Sequence, residues 1–163
     1  MTADPKPSPR GRIEARLAEL GVTLPGPHPP HDPLDAVVVH NGVARTSGQL
    51  PRIDNRLICM GLVGTDVTVK DAYDAAGLCA LNALSVLRVA LGSLDRIERV
   101  LHLTGYVACG PRFVEQPAVV DGASRVLHDV FGPAGRHTRS AIGVASLPRG
   151  GSVEVELTVA LAD

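Results

Sequence analysis

Between Val69 and Leu91, small apolar side chains return every three or four residues: Ala72, Ala76, Cys79, Ala83 and Leu87. That spacing places them on one face of a helix, and so broad an apolar face must be buried against a second layer. Thr68-Val69-Lys70-Asp71 opens the stretch as a near capping box, with Asp71 where Glu or Gln is the better partner. Gly92 closes it. The chain has two Phe, two Tyr and no Trp in 163 residues. The layers around this helix must therefore be built from Ala, Val and Leu.

The strands that could supply them are legible on both sides. Ala36 to Val39 and Val43 to Leu50 flank Asn41-Gly42, the strongest short hairpin signal, because both turn positions want positive φ. Asp54-Asn55 suggests a further turn before a short strand near Leu57 to Met60. Leu94 to Val107 is the longest strand candidate. A second helix is predicted over Pro117 to Phe131, with Val119, Val120, Ala123, Val126, Leu127 and Val130 on its buried side. Two alternating runs, Ser140 to Val144 and Val153 to Leu161, follow as strand, turn and strand around Leu147-Pro148 and Gly150-Gly151. This order predicts an α/β (α+β) domain: a mixed sheet with two helices on one face. The opposite face is expected to be Val-rich and uncovered, and an apolar surface of that size marks an interface between copies of the chain.

Residues 1–33 read as an extension to a domain spanning 34–163. Met1 to Pro9 carries three prolines and is expected to be a disordered lead-in. Arg10 to Leu20 has Ile13, Leu17 and Leu20 at helical spacing, and Pro25 to Pro33, with five prolines in nine residues, reads as an extended loop.

Sixteen basic and seventeen acidic residues give a net charge of -1, which leaves no electrostatic case for a nucleic-acid partner. Scarce aromatics also remove the stacking platforms that single-strand binders use. Cys59, Cys79 and Cys109 show neither metal spacing nor a disulfide framework. No apolar run approaches the ~20 residues of a membrane span, and the polar, proline-rich start lacks a secretory h-region. A cytoplasmic protein without membrane, metal or cofactor is expected. His28 and His31 resemble half a metal site without partners and read as a solvated loop.

Two charged residues stand near the starts of the closing strands. Arg139 could clamp a carboxylate through two parallel hydrogen bonds, or could pair on the surface with Glu154 or Glu156. Glu154 could hold a water, or could face solvent as strand glutamates commonly do. Gly48 could line a pocket or mark a β-bulge. His137 could tune a site around Arg139. His102 reads as structural, and nothing around Cys109 suggests a lowered pKa.

Two stretches together carry a resemblance. They are Thr46-Ser47-Gly48-Gln49-Leu50-Pro51, and Arg139-Ser140 followed eight residues on by Leu147-Pro148 and then by Val153-Glu154-Val155-Glu156. This pattern resembles the RidA/YjgF family of imine and enamine deaminases, once labelled endoribonuclease L-PSP, over about residues 34 to 161. The resemblance implies a chorismate-mutase-like fold and a homotrimer with a central barrel of sheets and active sites between subunits. It implies that Arg139 binds the carboxylate of a 2-imino or 2-enamino acid, that Glu154 positions the hydrolytic water, and that Gly48 gives a backbone contact beside Ser47. The products would be a 2-oxo acid and ammonia, with no metal or cofactor. Three positions depart from the pattern: Leu34 stands where a pocket tyrosine is common, Ala141 where Cys is common, and Asp121 near an expected Asn.

Such chemistry suits a sparse site. An imine is already electrophilic, so orienting it and its water is most of the task. The alternative on the same scaffold is a non-catalytic protein that binds or senses a small carboxylate metabolite. Leu34 and Ala141 keep that alternative open.

Overall fold

The computed structural model describes residues 11–162; the expected lead-in, Met1 to Pro9, lies outside the described residues. In chain order the elements are α1 (Arg12–Glu19), β1 (Val37–His40), β2 (Val43–Thr46), β3 (Arg52–Ile53), β4 (Arg56–Leu57) and α2 (Val69–Leu91). There follow β5 (Ile97–Ala108), α3 (Gln116–Phe131), β6 (Thr138–Val144) and β7 (Val153–Leu161).

Local chemistry forms the elements that the sequence predicts. Asn41 and Gly42 take φ of 49° and 73°, the mirror-image turn that matches strand twist, and β1 pairs with β2 across it. Asp54 and Asn55 make a second turn of this kind (φ 49° and 63°) and join β3 to β4 as a miniature hairpin. The Thr68 hydroxyl accepts the Asp71 N–H, and Gly92 ends α2 at φ 77°.

The sheet runs β1-β2-β7-β5-β6; β5 and β6 are parallel and the other neighbours antiparallel. The closing strand, turn and strand form as expected, but the two strands are not neighbours in the sheet. β6 and β7 do not touch, because β5 lies between them and pairs with both. The segment that joins them crosses the end of β5. It is held by the Ser152 N–H and hydroxyl donating to Cys59 O and by a bridge between Met60 and Gly151. β5 spans twelve residues and can satisfy a partner along each edge.

Helices α2 and α3 cover one face. Val153, Val155, Leu157 and Val159 of β7, with Val100, Leu103 and Val107 of β5, point into that layer and are fully buried. Gly105 and Gly122 set how closely it packs. A Cβ on Gly105 would collide with Val120, and one on Gly122 would sit 1.9 Å from the Tyr73 carbonyl oxygen of α2. The other face is not the Val-rich surface expected. Most valines of β5 and β7 alternate inward, so it presents Arg45, His102, Thr104, Tyr106, Glu154, Glu156 and Thr158 beside a smaller apolar set that includes Val38, Val43, Ile142 and Val144.

Ile13, Leu17 and Leu24 belong to the same core as the sheet and helices. Asp95 fixes the start of α1. Its carboxylate accepts the N–H groups of Gly11, Arg12 (2.9 Å) and Ile13 (2.9 Å), donors that a helix N-terminus leaves without partners. By length and composition α2 could cross a membrane, but most of that stretch is buried, and it is the core helix of this domain.

Replacing Gly122 by Ala forces the α2 and α3 backbones apart and is expected to destabilise the fold by roughly 1–3 kcal/mol in urea denaturation. Gly26→Ala, which meets open space, should change stability by no more than about 0.5 kcal/mol.

Candidate functional site

The site begins with a mismatch in the β2–β7 ladder. Arg45 pairs with Thr158 and Gln49 with Val155, so four steps on one strand oppose three on the other. The extra residue makes a bulge across Thr46-Ser47-Gly48. Thr46 repairs the broken ladder, its hydroxyl accepting the Leu157 N–H at 3.0 Å. Ser47 is pinned by its N–H donating to Ala36 O at 2.9 Å.

Glu154 stands over this bulge. It is the second residue of β7, and because Val153 and Val155 point to the core, its side chain projects from the helix-free face. A Cβ on Gly48 would lie 1.7 Å from Glu154 Oε1, so the carboxylate rests directly on the glycine. Gly48 is thus both the bulge and the floor under the acid. Burial, and next the charge of Glu156, raise the Glu154 pKa; Arg52 partly offsets them. Among the described residues Glu154 makes no side-chain hydrogen bond. Glu156 is engaged, accepting from Arg45 Nη2 and Tyr106 Oη, each at 3.2 Å.

A cleft of about 270 Å³ opens in front of Glu154, lined by Leu34, Ser47, Gly48, Arg52 and Arg149, with the His28–His31 loop at its lip. His28 Nδ1 lies 2.9 Å from Asn55 Oδ1, and among the described residues no three His, Cys, Asp or Glu side chains converge as a metal site. Arg52, Arg149 and Tyr106 carry no sequence signal of their own. Each becomes a neighbour of Glu154 only through the fold, although Arg52 and Arg149 directly follow Pro51 and Pro148 of the motifs.

Arg139 lies elsewhere. As the second residue of the edge strand β6 it is in register with buried Leu103 and points to the helical side. Its Nη1 donates to Asp121 Oδ1 at 2.7 Å and to Ser124 Oγ at 3.1 Å. Its salt-bridge partner is therefore Asp121 rather than Glu154 or Glu156. Ser124 Oγ is also 3.0 Å from His137 Nε2, and His137 Nδ1 lies 2.6 Å from Gly135 O. This chain of contacts ties His137 to Arg139. Burial first, and the Arg139 charge after it, lower the His137 pKa despite the Gly135 contact. Ala141 sits two residues on, facing the same way and packing on the core. One chain thus brings together Leu34, Ser47, Gly48 and Glu154, and sets Arg139 and Ala141 on the other side of the sheet.

A half-buried carboxylate on a glycine bulge and an arginine on an edge strand, carried by this sheet and helix pair, define the class. The chain matches the family model described as "YjgF/chorismate_mutase-like, putative endoribonuclease" over residues 14–159, and it belongs to that family. It is similar to Protein TCP17 of Trypanosoma cruzi, 41% identical over 152 residues that cover 93% of this chain and 95% of the other. Among solved structures it is similar to the Agrobacterium tumefaciens protein Atu1372, whose function is unknown (43% identity, 93% of each chain, TM-score 0.86). It also resembles a candidate endoribonuclease of Shewanella oneidensis (33% identity, 91% of this chain and 99% of the other, TM-score 0.88).

Glu154 has a folded-state pKa above its ordinary value, so folding favours its protonated form. Stability from this residue is full below the unfolded pKa, near 4.5, and is lost as pH rises through the folded value. Glu154→Gln should therefore stabilise the fold at pH 7 and give no gain at about pH 4, read from denaturation midpoints at the two pH values.

Proposed function

We propose that this chain hydrolyses reactive 2-imino and 2-enamino acids to 2-oxo acids and ammonia in the cytoplasm, working as a homotrimer with sites between subunits. The observation that carries this reading is the Glu154 carboxylate seated on Gly48. It is half-buried, holds its proton more tightly than usual, and lies open to a cleft. Such a group can take a proton from water as the water adds to the imine carbon. It can then return that proton to nitrogen and accept the carbinolamine hydroxyl proton as the C=O bond forms and ammonia leaves. Arg139 would hold the substrate carboxylate, and the backbone at Ser47-Gly48 would contact the substrate. Leu34 and Ala141 would shape the apolar part of the pocket.

Geometry supports a site shared between chains. Arg139 and Glu154 stand on opposite sides of one sheet, with β5 between their strands, so a small substrate can touch both only if they come from two chains. The helix-free face is mostly polar, so an assembly through it would rest on hydrogen bonds and charge pairing as much as on apolar area. The non-catalytic alternative draws support from Asp121, which already occupies part of the Arg139 guanidinium. A metabolite carboxylate could exchange with it without any turnover.

The test uses imines formed in situ by an amino-acid oxidase. Glu154→Gln should slow hydrolysis about a hundredfold, and Arg139→Ala should raise KM at least about tenfold by removing a charge-assisted contact. Mixing the two variants and reassembling them should restore about a quarter of wild-type activity. Random assembly places an intact arginine and an intact glutamate at about one site in four. A wild-type protein that leaves imine decay unchanged, yet binds 2-oxo acids in calorimetry, would move the conclusion to the binding protein. No recovery on mixing would rule out shared sites.

A further inference from the structure

The cleft in front of Glu154 holds more positive charge than the proposed reaction uses. Arg52, on β3, and Arg149, directly after Pro148, both line it. They lie 97 positions apart in the chain (149 less 52), yet the Arg149 charge is close enough to lower the Arg52 pKa, second only to burial. Among the described residues neither arginine forms an ion pair or donates a side-chain hydrogen bond. Arg12, Arg16, Arg45, Arg125 and Arg139, by contrast, each pair with a carboxylate. Arg149 is presented from a left-handed backbone position, φ 56°, at the crossing between β6 and β7. Arg52 is half-buried and lines the cleft together with Gly48 and Leu50. Its backbone is fixed by Asn82 Nδ2 donating to Arg52 O at 3.0 Å.

We propose that Arg52 and Arg149 form a second anion clamp, so that the substrate of this chain is a dicarboxylic 2-imino acid whose side-chain carboxylate they hold. The inference rests on the imine-hydrolase reading only for the imine. The clamp itself is a binding site of the cleft, whichever reading holds. Charge counting selects the ligand: two guanidinium groups face one carboxylate, Glu154, leaving room for one more negative charge. A dianionic phosphate would meet the Glu154 carboxylate with its excess charge, whereas a monoanionic carboxylate balances the cleft. Guanidinium forks also match the planar carboxylate in two parallel hydrogen bonds. Arg139 takes the α-carboxylate, these two take the side-chain carboxylate, and the imine carbon lies between them near Glu154.

The test compares imines generated from glutamate and from norvaline, which have the same chain length and differ in a terminal carboxylate against a methyl. Wild-type kcat/KM is expected to favour the glutamate imine by roughly tenfold or more. In Arg149→Gln, and separately in Arg52→Gln, that ratio should fall to near one. A wild-type preference for the norvaline imine, or a ratio that both variants leave intact, would overturn the clamp. If no imine is hydrolysed, the function reading has failed and calorimetry still decides the clamp. 2-Oxoglutarate should bind about tenfold tighter than 2-oxopentanoate, and Arg149→Gln should erase the difference. Equal binding of the two acids, or binding of neither, would refute it. Arg149 is exposed, so its variant should keep the wild-type Tm and report binding rather than folding.

Discussion

The whole molecule depends on the near-contact of two helix backbones where Gly122 of α3 meets the Tyr73 carbonyl of α2. A chain with four aromatic residues cannot fill a thick interior, so its layers must lie close. Ala72, Ala76, Ala80 and Ala83 let α2 sink onto the sheet, and the absent side chains at Gly105 and Gly122 let α3 follow. Close packing of this kind leaves no tolerance for a strand that slips by one residue, because every side chain would change face. The register of β7 is fixed by that demand. Once Val153, Val155, Leu157 and Val159 are committed to the interior, Glu154 and Glu156 must point out, and the position of the acid follows from the core.

The bulge at Thr46-Ser47-Gly48 converts that position into a site. An unbroken ladder would put a side chain beneath Glu154; the extra residue puts a glycine there and lets the carboxylate settle against backbone. The disruption is confined because Thr46 takes up the Leu157 N–H and Ala36 receives the Ser47 N–H. The acid is thereby half withdrawn from water, which is the main reason for its raised proton affinity.

What the sequence disclosed was whatever depends on neighbours along the chain. The span of α2, its Thr68 cap, its Gly92 stop and the Asn41-Gly42 turn follow from local periodicity and φ preference. That the last two strands are not neighbours was hidden, because proximity in sequence says nothing of a third strand that pairs with both. Asp95 as the cap of α1 and Asp121 as the partner of Arg139 were likewise hidden. Each contact joins segments whose meeting depends on how helices stack on the sheet. The polarity of the helix-free face was misjudged for a related reason: counting valines gives their number, and only the register gives their side. Gly48, Ser47, Leu34 and Glu154 gathered in one cleft were legible through the motif, whereas Arg52 and Arg149 needed the fold.

The pairing of Arg139 with Asp121 also bears on selectivity. A guanidinium that already holds an anion gains little net charge compensation when a second anion displaces the first, so attraction alone discriminates poorly between acids. Asp121 is largely in water and can swing aside at small cost. If Arg139 holds a substrate carboxylate as proposed, shape is what would distinguish ligands: the incoming group would have to match the two-pronged geometry at Arg139 better than a single aspartate oxygen at 2.7 Å does. On the proposed reading, the edge strand would serve as an exchange point that admits planar, two-oxygen groups and lets one-point anions pass by.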